Sequence, residues 1–300
     1  MQTNNDQLSR LQPLGVWDIL DTTFSLYRRH FLLYLSFITI YFISNLIDYT
    51  VKGYLSDNNL KQLLASIASQ PIALLCLGGM VVVTASIYLG NEITTINALK
   101  HTFKRLWTII KSYILWRLAQ AIPLFLISLS MTSVIHIGSW ALVVMTIVIG
   151  LPILIYISVR WIFYLEAVLV ENTNAIGALQ RSSDLVRENW WRVFGTVVLL
   201  LLSSSAFQYI FELSISSIFL LFNLAGGTDF RSIVEWSFMN KVLDTNSFLF
   251  YIIMIGSKFV INSLVVPIWV IGVVILYFDR RIRKEGYDLE RNATSGTDYS

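Results

Sequence analysis

Between Arg117 and Arg160 the chain runs for 42 residues, Leu118 to Val159, without one Lys, Arg, Asp or Glu. A bilayer's hydrocarbon core takes about 20 residues of helix. The run is therefore too long for one crossing and suits two. HIGSW (136–140) supplies a turn through Gly138 and Ser139, which divides the stretch into helices near 112–134 and 140–166. Similar apolar tracts lie at 31–47, 62–91, 193–222 and 247–278, the last interrupted only by Lys258. The count reaches six spans. Composition agrees: apolar residues make up 55% of the chain and charged residues 14%, where a water-soluble domain carries about 25% charged residues. The expected fold is an all-α polytopic membrane helix bundle. It forms a single integral membrane domain over 1–290, with a small, polar, disordered tail at 291–300.

Charge placement sets the expected orientation. Segments 1–30, 90–117, 160–192 and 279–300 hold 17 of the 22 Lys and Arg residues. The connections 48–61 and 223–246 hold only Lys52, Lys61, Arg231 and Lys241. The positive-inside rule then puts both termini in the cytoplasm, and six spans satisfy that parity. The first residues lack the basic-then-apolar pattern of a cleaved signal, so the first apolar tract reads as a retained anchor. The expected location is a bacterial plasma membrane. Cys76, alone in an apolar run, reads as a small buried hydrophobe.

Three segments resemble one another: 15–35, 94–114 and 174–194. Leu20, Leu99 and Leu179 align at offsets of 79 and 80, as do Ile19, Ala98 and Ala178, and Phe24, Phe103 and Ser183. Each copy is amphipathic with helical spacing. In the third, Ala178, Leu179, Leu185 and Val186 share a face opposite Arg181, Asp184, Arg187 and Glu188. Asn172, Thr173 and Asn174 are capping residue types ahead of it. We read a threefold internal repeat (15–92, 93–172, 173–280), each unit an amphipathic interfacial helix followed by two spans. Trp107, Trp190 and Trp191 then lie at headgroup depth. The competing reading makes each amphipathic segment the extension of the span that follows it, since no glycine or proline divides them.

PLGVWDILDTTFSLYRRHF (13–31), ALQRSSDLVRENWWRVFG (178–195) and ILYFDRRIRKEGYDLE (275–290) resemble the glycerophosphoryl diester phosphodiesterase membrane domain-like family of bacterial multi-span proteins. The resemblance spans nearly the whole chain. It implies a multi-span membrane protein and, in some relatives, fusion to a phosphodiesterase domain. This sequence holds no such soluble domain, so the activity is not carried over.

Chemistry-bearing patterns are sparse. There is no HExxH, GxSxG or P-loop. His30, His101 and His136 are scattered and read as interfacial or capping. No catalytic residue, metal site or cofactor is expected. Pro123, Pro152 and Pro267 mark kinks inside spans, with a broken-helix transport site as the rival reading. Charged residues within the spans carry more weight. Arg117, Arg160 and Glu166 sit near the flanks and read as snorkelling. Glu212 and Lys258 lie deeper, on sequential spans, and read as a buried ionisable pair, since isolated charges at that depth are costly. Arg280, Arg281, Arg283 and Lys284 follow the last span. They read as an orientation or lipid-headgroup cluster, with Gly286 ending the helix.

Two functions compete. One is a non-enzymatic protein organising membrane lipids or partners at the cytoplasmic surface. Its partners would be lipids, another membrane protein or a separate soluble enzyme, and not nucleic acid. The other is a transporter or lipid-handling permease with its polar site at Glu212 and Lys258. A polar cavity inside the bundle favours the second, and a dry bundle favours the first.

Overall fold

The structure, a computed structural model, describes residues 13–54, 59–137, 140–221 and 248–286. It is helical throughout, with no strand among the described residues. In chain order the helices are α1 (Val16–Arg29), α2 (Phe31–Tyr54), α3 (Asn59–Tyr88), α4 (Thr95–Ile137), α5 (Trp140–Arg160), α6 (Tyr164–Val170), α7 (Ala175–Arg187), α8 (Trp190–Leu221) and α9 (Phe248–Glu285). Six stretches, within α2, α3, α4, α5–α6, α8 and α9, are long and apolar enough to cross a membrane.

The amphipathic segments fold in two different ways. α1 and α7 are separate short helices. α1 starts where the Asp18 carboxylate accepts the Gly15 N–H at 2.9 Å, and it stops at His30. Asn174 caps α7 by accepting the Gly177 N–H at 2.7 Å, one of the three expected capping positions. The middle copy is not a separate helix. It runs unbroken into its span as the 43-residue α4, roughly 65 Å long at the usual rise per residue. Nothing between Thr95 and Pro123 stops a helix there, so the extension reading holds for this copy.

Burial follows the alignment of the three segments at some positions and not others. Ile19, Ala98 and Ala178 are all fully buried, as are the small hydroxyls Thr23, Thr102 and Ser182 at the next matching position. Phe24, Phe103 and Ser183 differ, with Phe103 exposed. The expected buried face of α7, Ala178, Leu179, Leu185 and Val186, is buried.

One connected buried core joins α1, α7 and α9 to α2, α3, α4 and α6. Tyr34, Phe37, Met80, Ile109, Phe163, Leu185 and Tyr277 are among its fully buried members. Close helix approach comes from glycine. A Cβ on Gly79 would strike the Phe37 ring, and one on Gly272 would strike Leu200, the small-residue contact expected of membrane helices. The Tyr27 hydroxyl donates to the Leu264 carbonyl at 2.9 Å, and burial pushes this phenol up to about 12.

Prolines 71, 123, 152 and 267 all lie inside continuous helices. The break in a span falls elsewhere, at 161–163 between α5 and α6. One side chain repairs it. The Ser182 hydroxyl accepts the Phe163 N–H at 3.0 Å and donates to the Arg160 carbonyl at 3.0 Å. Backbone groups freed inside a membrane fold need such partners.

Candidate functional site

A cavity of about 720 Å³ lies within the bundle, walled by α2, α3, α4, α5, α6, α8 and α9. That volume is in the range of small-molecule sites. Its lining mixes apolar residues with Asp48, Gln70, Tyr113, Arg117, Gln120, Ser158 and Glu166. Several of these polar groups satisfy one another. The Ser69 hydroxyl donates to Asp48 Oδ1 at 2.8 Å. The Tyr113 hydroxyl donates to Gln70 Oε1 at 3.1 Å and accepts from Arg117 Nε at 2.9 Å. Gln120 Nε2 donates to the Ser158 hydroxyl at 2.9 Å.

Two lining groups are left wanting. Glu166 is only 3% exposed, and its Oε2 has no hydrogen-bond partner among the described residues. Trp116 stacks on Tyr164, ring centroids 5.5 Å apart, while its indole N–H likewise finds no acceptor there. A buried polar atom without a partner costs free energy, so both mark places where a further group would be welcome. The Arg117 guanidinium lies 5.2 Å from the Tyr113 ring and 5.5 Å from that of Trp116. Arg117 is exposed, as are Leu124 and Leu201. All three line the cavity, so it reaches the flank of the bundle beside them.

The Glu166 geometry corrects the snorkelling expectation. After Arg160 the chain breaks and turns, and α6 carries Glu166 into the cavity wall. Proximity to a flank in sequence did not mean proximity to water. Arg160 does stay exposed, with Nε on the Ser183 hydroxyl at 2.7 Å.

Glu212 and Lys258 do not line this cavity. They lie within electrostatic reach of each other. Glu212, 2% exposed, accepts from Gln208 Nε2 at 3.0 Å.

The cluster after the last span serves the fold. Arg280 is 1% exposed, with Nε directed to the Leu185 carbonyl at 3.3 Å. Arg281 meets Glu171 and Glu285 at 3.3 and 3.4 Å. Arg283 grips the fully buried Asp279 at 2.9 Å and the Leu14 carbonyl at 2.8 Å. Lys284 reaches the Asp184 carbonyl and Glu188. Asp279 also accepts the Leu14 N–H and faces Arg192. Arg181 joins Glu171 and Glu285, and these hydrogen bonds, Glu285 first, hold its guanidinium still more firmly charged. The four cations sit on protein acceptors rather than forming a free basic face. The sequence showed the bases with Asp279 beside them, but not that Glu171 would be folded among them.

Of the expected interfacial indoles, Trp107 and Trp191 are exposed. Trp190 packs against the Phe194 ring at 5.1 Å. Trp17, also exposed, belongs with them. The polar wall residues Gln70, Gln120 and Ser158 went unnoticed because a search for charge passes over uncharged amides and hydroxyls in apolar runs. No group of His, Cys, Asp and Glu suited to a metal occurs among the described residues.

Residues 64–277 match a family described as a domain of unknown function, DUF7847. The chain belongs to that family. The matched region includes Gln70, Arg117, Gln120, Ser158 and Glu166, and leaves out Asp48 on α2. No curated protein and no solved structure matches the chain.

Proposed function

We propose that this DUF7847 protein is a non-catalytic integral membrane protein that takes up an amphiphile in its intramembrane cavity, as a lipid-handling permease does. The observation that carries this reading is the polar cavity itself, reaching the flank of the bundle between apolar residues. In a bilayer that flank meets acyl chains, so a ligand enters sideways with its polar group leading. The charge distribution supports an orientation with both termini cytoplasmic. The polar site of the permease reading moves from Glu212 and Lys258 to Glu166 and Arg117.

A second reading, surface organisation of lipids or partners, draws on the exposed Trp17, Trp107 and Trp191 and on Lys111, 5.4 Å from the Trp107 ring.

Ala73 lines the cavity, and Ala73→Phe fills part of it. Protein purified in mild detergent should carry an amphiphile detectable by mass spectrometry, and A73F should lose it while unfolding at a similar temperature. Equal retention by A73F rejects the cavity as the site.

A further inference from the structure

We infer that the cavity selects a zwitterionic headgroup, with a primary ammonium held by Glu166 and an anionic group held by Arg117 and Trp116. This rests on the cavity reading above and adds the chemistry of the ligand.

The argument starts from unmet hydrogen-bonding capacity. Inside the cavity the unmet group is an acceptor, since Glu166 Oε2 lacks a donor among the described residues. Asp48, the other lining carboxylate, already holds the Ser69 hydroxyl. The unmet donors lie on α4. The buried Trp116 indole N–H has no acceptor among the described residues. Arg117 has five N–H bonds, of which one goes to Tyr113, and it forms no ion pair among the described residues. Glu166 and Arg117 both line the cavity, and no ion pair joins them among the described residues.

A ligand that completes both sites has a donor cation at one end and an acceptor anion next to it. Its tail points outward past Leu124 and Leu201. An aminophospholipid carries its groups in that order: acyl chains, phosphate, then amine. An ammonium donates up to three hydrogen bonds to a carboxylate, whereas a quaternary ammonium donates none. The site therefore distinguishes phosphatidylethanolamine from phosphatidylcholine as well as from phosphatidylglycerol. Free phosphoethanolamine has the same polar chemistry without the tail.

The test uses full-length protein in nanodiscs doped with phosphatidylethanolamine, phosphatidylcholine or phosphatidylglycerol of matched acyl chains, with bound lipid counted by native mass spectrometry. Wild type should favour phosphatidylethanolamine by about tenfold, the scale of a charge-assisted hydrogen bond. Glu166→Gln should abolish that preference while keeping general lipid occupancy. Arg117→Gln should lower occupancy by all three lipids, since each carries the same anionic phosphodiester. Competition by millimolar phosphoethanolamine supports the same headgroup chemistry with a water-soluble source. Equal binding of all three lipids by wild type, or an unchanged preference in E166Q, overturns the inference. If lipid occupancy remains sensitive to A73F in that case, the cavity reading stands and only the headgroup assignment falls. If no lipid occupies the cavity at all, both fall.

Discussion

The bundle contains two polar assemblies of opposite character. At the end of α9, charges are dense and matched. Asp279 is shared by Arg283, Arg192 and the Leu14 amide, and Glu171 by Arg181, Arg281 and the Tyr277 hydroxyl. In the cavity wall, ionisable groups are few and sparsely matched. Glu166 keeps a carboxylate oxygen without a donor, and Arg117 has no carboxylate partner among the described residues. The comparison shows that charge density is a poor guide to function in a membrane fold. The crowded cluster ties helices together, and the sparse one has capacity left for a ligand.

Substitutions should separate the two. Asp279→Ala leaves several cations and the Leu14 amide without their acceptor, so it should cost about 3–5 kcal/mol, read as a large fall in unfolding temperature in detergent. A drop of only a degree or two would dissolve the distinction from that side. Ser182→Ala, between the two assemblies, orphans the Phe163 N–H and should cost about 1–3 kcal/mol. Deuterium exchange would report it as faster exchange at 161–166. Glu166→Gln removes an unpartnered carboxylate, so stability should hold or rise by up to about 1 kcal/mol. A clear loss in the ligand-free protein would make Glu166 a structural residue like Asp279.

The last effect concerns pH and is confined to the alkaline range. The Tyr27 phenol is pushed up to about 12 in the fold, from an ordinary value of 10. Its contribution is complete below pH 10, where both states are neutral, and it fades as pH climbs from 10 to 12. Tyr27→Phe should flatten that alkaline limb of a denaturation series. An unchanged slope would show that Tyr27 is not what limits the fold at high pH.

Much of the architecture was legible in the sequence because apolar length is a direct physical demand of a bilayer. The six tracts, the Asn174 cap and the end of α9 at Gly286, which has a left-handed φ of 59°, all follow from local chemistry. The Gly138–Ser139 turn and the 291–300 tail lie outside the described residues. The site was harder to read. Glu166 and Arg117 stood out as charges, but their depth was judged from distance to the nearest polar flank. That measure fails where a span breaks. The break itself has no glycine or proline to announce it, because WIF (161–163) looks like more helix. What allows it is a hydroxyl 19 residues downstream of Phe163, a long-range contact no window detects. The protein partners of the Arg280–Lys284 cluster were out of view for the same reason, since Leu14, Glu171 and Leu185 are remote in sequence.

The Ser182 oxygen acts as a pivot. A rod interrupted at 161–163 need not keep its two pieces collinear. Turn hydrogen bonds from Ile162 to Val159 and from Tyr164 to Trp161 carry the chain across, and a hydroxyl on a neighbouring helix clasps the joint. The bearing of the Glu166 carboxyl therefore depends on how α7 lies against the bundle as well as on the long helices α3 and α4 that α6 packs against.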